Sequence, residues 1–76
     1  MKKKGYKDMV AGVERERIER VIDAYVHSGR DRKILRLSLL NNISYTRISQ
    51  RMDLEVSSRT VQEIMNRWMP IIMEHL

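Results

Sequence analysis

Arg59, Gln62 and Asn66 stand three and four positions apart, the spacing that lines side chains along one ridge of a helix. Each ends in a group that can hydrogen-bond a base edge. A guanidinium donates twice to guanine, and a carboxamide donates and accepts at once against adenine. Ser58 and Glu63 flank the row, and Glu63 could accept from cytosine. Arg47, Arg51 and Arg67, with the hydroxyls of Ser57 and Thr60, suit phosphate oxygens, contacts that set register without reading sequence. These residue types predict base reading by Ser58, Arg59, Gln62, Glu63 and Asn66, and backbone contact by Arg47, Arg51, Ser57, Thr60 and Arg67. Arg, Gln and Asn also decorate exposed helices that bind nothing, so the prediction depends on the elements that would position them.

The charge balance favours a polyanionic partner. Fifteen Lys and Arg against ten Asp and Glu leave a net charge of +5, and a positive field concentrates phosphate-bearing ligands. Its distribution is uneven: Arg30, Arg32, Lys33, Arg36, Arg47 and Arg51 against Asp31 alone give residues 30–51 a charge of +5, whereas residues 52–76 are net acidic. Residues 1–12 carry Lys2, Lys3, Lys4 and Lys7 with two glycines and no apolar period. They predict a flexible basic N-terminal arm, tracking phosphates or merely solubilising, ahead of a helical domain over residues 13–76.

Other chemistries lack their residues. With no Cys there is neither a disulfide framework nor a thiolate metal site, and His27 and His75 have no companions at ligand spacing. A Gly-rich phosphate loop and carboxylates paired for acid–base work are also missing, so no catalytic residues, metal or cofactor are expected, and no enzyme. Nothing approaches the ~18 consecutive apolar residues of a membrane span, which predicts a cytoplasmic protein with no membrane partner.

Apolar residues recur with a helical period throughout. Val13, Ile18, Val21, Ile22, Tyr25 and Val26 form one stripe, with Gly29 placed to end that helix in the left-handed conformation. A second helix, with Asp31 near its start, runs through Ile34, Leu35, Leu37, Leu39 and Leu40 to Asn41 and Asn42. Its apolar residues cover more than one stripe, so it should lie deep. A short third helix capped by Ser44 turns Tyr45, Ile48 and Met52 inward, and Ser49 leaves room for a close crossing. Ser57 or Ser58 can cap a fourth, where Val61, Ile64, Met65 and Trp68 share one face and Pro70 should kink or stop the helix near Trp68. No run alternates with period two. The fold class predicted is all-α, a compact three- to four-helix bundle containing a helix-turn-helix and no wing.

Two short helices with a brief turn, the second opening on Ser and Thr, form an arrangement whose outer face can enter a major groove. Within it, Asp31-Arg32-Lys33-Ile34-Leu35-Arg36-Leu37, Ile43-Ser44-Tyr45-Thr46-Arg47-Ile48-Ser49 and Val56-Ser57-Ser58-Arg59-Thr60-Val61 occur in that order. This series resembles the fourth, promoter-binding region of sigma factors and the small phage transcriptional regulators similar to it, over residues 31–68. The resemblance implies a recognition helix opening near Ser57 and a role in transcription without catalysis. The stretch from Ile48 to Val56 is longer than the family's usual spacing, enlarging the turn at residues 53–55, and Pro70 is a second departure.

The C-terminus carries more apolar surface than one short stripe can hide. Trp68, Met69, Ile72, Met73 and Leu76 are candidates for a homodimer seam, which would pair two half-sites; packing against the first helix is the alternative. The reading predicts a sequence-specific transcriptional regulator of double-stranded DNA, phage or mobile-element encoded. Its rivals are a helical protein-protein adaptor docking on RNA polymerase or another regulator through Met and Trp surfaces, and an accessory module in DNA packaging or recombination.

Overall fold

The computed structural model describes residues 6–76. They form a single helical turn, α1 (Tyr6–Met9), followed by four helices: α2 (Arg15–Tyr25), α3 (Gly29–Leu39), α4 (Tyr45–Ser49) and α5 (Ser58–His75). No strand occurs among the described residues. The bundle is compact, with a Cα radius of gyration of 11.7 Å. No helix among the described residues is long and apolar enough to cross a membrane.

The stripe of Ile18, Val21 and Ile22 buries one face of α2, as its period requires. The helix does not end on Gly29. Val26 is fully buried in an extended conformation, which pulls the chain off the helix axis, and Ser28 then caps α3 by accepting from the Asp31 amide at 3.3 Å. Gly29 is therefore the first residue of α3, and it does not take a positive φ. Arg32 serves carbonyls at this end of α2 instead, donating to Val26 O at 2.6 Å and Asp23 O at 3.0 Å.

Helix α3 lies deep, as its apolar spread predicts. Ile34, Leu35, Leu37 and Leu39 are all buried, and the helix touches every other element of the fold. Its C-terminal end coincides with the expected asparagines. Asn42 takes φ 59°, and Ile43 N donates back to Leu37 O at 3.0 Å. Arg15 seals the same end from α2, donating to Leu40 O at 2.9 Å and to Asn41 Oδ1 at 3.1 Å.

The long α5 packs against α2, α3 and α4, burying Val61, Ile64, Met65, Met69 and Ile72. It passes through Pro70 without stopping, contrary to the expectation of a break near Trp68. Met69 and Ile72 are buried on either side of the proline, and Asn66 and Pro70 are exposed, so the carbonyl deprived of its donor can turn to water. Packing of the flanking residues outweighs the local penalty.

An arm over residues 1–12 was expected. Residues 1–5 lie outside the described residues. From Tyr6 onward the segment packs on the bundle: α1 rests against α3, Val10 is buried, and Tyr6 lies half-buried against the core.

Candidate nucleic-acid interface

Helix α4 begins as its sequence predicts, with Ser44 Oγ accepting from the Arg47 amide at 3.3 Å. Ile48 is fully buried, but Met52 is 90% exposed rather than inward. The helix ends at Ser49, so Met52 loses its phase with Ile48, and Leu54 and Val56 take over the inward role. Between these two anchors Glu55 adopts φ 49°, a left-handed conformation costing about 1–2 kcal/mol for a side chain of this kind. Burial of both neighbours holds it there. Ser57 then caps α5: its Oγ accepts from the Thr60 amide at 3.1 Å and pairs with Thr60 Oγ1 at 3.0 Å.

The sequence-predicted base readers occupy one end of α5. Arg59, Gln62, Glu63 and Asn66 are all exposed, and Val61, Ile64 and Met65 seal the opposite face. Ser58 departs from the group. Although exposed, it stands seven and fourteen residues before the buried Met65 and Ile72, so it rises from the stripe facing the bundle and not from the outer ridge.

Two of the readers are already engaged. Gln62 Nε2 donates to Asn66 Oδ1 at 3.0 Å, and the Tyr6 hydroxyl donates to the same oxygen at 2.6 Å. Tyr6 thereby ties α1 to the outer face of α5. Tyr45, at the start of α4, is close to it: burial first, then the Tyr6 phenol, push the Tyr45 phenol above its usual range, opposed by a hydrogen bond with Ser38.

The predicted phosphate contacts divide into two sets. Arg47 and Arg67 are exposed and, like Arg59, have no acidic partner among the described residues. They are available to an incoming anion. Arg51 instead lies 3.3 Å from Asp53, which also pairs with Lys33 from α3. The Lys33 hydrogen bond holds the Asp53 carboxyl below its usual range against an opposing desolvation, and Arg51 adds to the lowering. The hydroxyls of Ser57 and Thr60 serve the helix cap, so a phosphate would have to compete with it.

Two of the five proposed dimer residues are spent inside the chain. Met69 and Ile72 are buried in the core, which removes them from any seam between copies, and Trp68, Met73 and Leu76 are half-buried against it. Part of the apolar surplus is covered by the chain's own bundle because α5 continues past Pro70 and packs against α2. Trp68 has a further task. Its indole Nε1 donates at 2.8 Å to Asp31 Oδ2, a carboxylate only 2% exposed at the start of α3, with the Arg30 guanidinium 3.4 Å from the other oxygen.

Sequence reasoning missed Tyr6, Lys33 and the role of Asp31. Tyr6 and Asn66 are 60 residues apart and Asp31 and Trp68 are 37 apart, so no local spacing points to either pair. Comparison with protein-family models, with curated proteins and with solved structures finds no match to this chain.

Proposed function

We propose that α4, the connection after it and α5 act as a helix-turn-helix that binds double-stranded DNA sequence-specifically, with the first half of α5 in the major groove. The observation that carries this reading is the division of α5: Arg59, Gln62, Glu63 and Asn66 stand exposed on one side, and the other is sealed by Val61, Ile64 and Met65. Such a helix can present polar groups to base edges without giving up its anchor. Arg47 and Arg67, free of acidic partners among the described residues, supply phosphate contacts beside it. The chain works in transcription as a small regulator, the role its resemblance to the promoter-binding region of sigma factors implies.

The adaptor reading drew on Met and Trp surfaces. Met65 and Met69 are buried, and Trp68 is turned to Asp31, which leaves Met9, Tyr25 and Met52 as the large apolar side chains exposed among the described residues.

Titration of a labelled duplex at several salt concentrations tests the proposal. If about five phosphates are contacted, log K should fall with log salt at a slope of roughly −4 to −5. Arg47→Ala should weaken all duplexes about equally, whereas Arg59→Ala and Gln62→Ala should flatten sequence preference more than they lower nonspecific affinity. No duplex binding at low salt, or all three variants binding like the parent, would overturn it.

A further inference from the structure

The Asn66 carboxamide is held in one orientation by its partners. The Tyr6 hydroxyl donates to Asn66 Oδ1 at 2.6 Å, a length that fits an O–H···O bond. The 3.0 Å contact from Gln62 Nε2 fits an N–H···O bond to that same oxygen. A carbonyl oxygen has two lone pairs, and both are now taken. What Asn66 has left is a pair of N–H donors.

Adenine requires more than donors. Its major-groove edge offers the N7 acceptor and the N6 amino donor, so a carboxamide that pairs with it must accept as well as donate. Guanine offers two adjacent acceptors, N7 and O6, and thymine a single one, O4. Gln62 keeps its own Oε1 and a second N–H free of partners among the described residues, so it retains the donor–acceptor pair that adenine needs.

We propose that Tyr6 is a positioning residue for base selection: by occupying Asn66 Oδ1 it leaves Asn66 a donor only, so that Asn66 selects guanine where an unrestrained asparagine would take adenine. This rests on the DNA-binding reading above. Without the hydroxyl, the Asn66–Gln62 amide pair can turn over together, since either amide can donate to the other, and Asn66 regains an oxygen to accept with. The ring of Tyr6 can still pack against the core, so Tyr6→Phe removes the restraint and keeps the contact.

The test is selection of bound duplexes from a random pool by the full chain, by Tyr6→Phe and by Asn66→Asp, with thermal unfolding of each. In the parent, one position should favour guanine over adenine by about tenfold, and in Tyr6→Phe that ratio should fall to within about threefold with the other positions and the thermal midpoint kept. Asn66→Asp has acceptors only, so the same position should turn to cytosine, whose N4 donates. If the parent selects a site but Tyr6→Phe returns the same profile, or if the position that responds to Asn66→Asp is adenine in the parent, the inference falls and DNA binding stands. A uniform loss of preference in Tyr6→Phe would make Tyr6 merely structural and would also overturn it. If the parent selects no sequence, both readings fail.

Discussion

The first half of α5 and its second half belong to one unbroken helix and do opposite things. From Arg59 to Asn66 the outer ridge is polar and accessible, and its only restraints among the described residues are side-chain hydrogen bonds. From Trp68 onward the helix is an anchor: Met69 and Ile72 are buried, and Trp68 is tied to a buried carboxylate on α3. The difference teaches that a helix can leave one polar ridge uncovered while its opposite face, Val61, Ile64 and Met65, and then Met69 and Ile72 further along, hold it to the bundle.

Substitutions should separate the two halves sharply. Ile72→Ala removes a fully buried side chain and should cost about 2–5 kcal/mol by denaturant unfolding, whereas Arg59→Ala, at an exposed position, should stay within about 0.5 kcal/mol of the parent. Equal losses would abolish the distinction between anchor and ridge. Next in size, Trp68→Phe keeps most of the ring volume but leaves a buried Asp31 oxygen without its donor, a loss of about 1–3 kcal/mol visible in the thermal midpoint. A midpoint unchanged by this substitution would mean that the indole bond does not hold α5 to α3.

The smallest effect sharpens the comparison by contrasting two aspartates. Asp31 is buried against Trp68, whereas Asp53 is solvent-exposed between Lys33 and Arg51. Because the folded Asp53 carboxyl is lowered, its stabilising contribution is present above the ordinary carboxyl value of 3.8 and fades as pH falls through the lowered folded value. Stability should therefore be insensitive to Asp53→Asn in strong acid, where the parent carboxyl is also protonated, and slightly reduced by it near neutrality. On the proposed DNA-binding reading, the same substitution releases Lys33 and Arg51, so duplex affinity at low salt should rise modestly and the salt slope should steepen. An affinity that falls instead would show that Asp53 arranges those cations for the partner and does not withhold them.

Much of the architecture was legible because the interactions that specify it are short-range. The stripe of Ile18, Val21 and Ile22, the deep placement of α3, the caps at Ser44 and Ser57 and the buried face of Val61, Ile64 and Met65 all follow from neighbours one to four positions away. The exposure of Arg59, Gln62, Glu63 and Asn66 follows from the same period. Met52 faces solvent because the inward phase it would share with Ile48 lasts only while α4 continues, and a five-residue helix ends too soon for that.

What the chain's order of residues determined by itself was where α4 and α5 begin and which faces the longer helices hide, since capping and periodicity are matters of adjacent turns. Tertiary structure alone decided that α5 survives Pro70, that Met69 and Ile72 lie against the chain's own bundle, and that Tyr6 reaches Asn66 and Trp68 reaches Asp31. Those outcomes depend on contacts between segments far apart along the backbone, whose energies exist only once the chain has closed on itself.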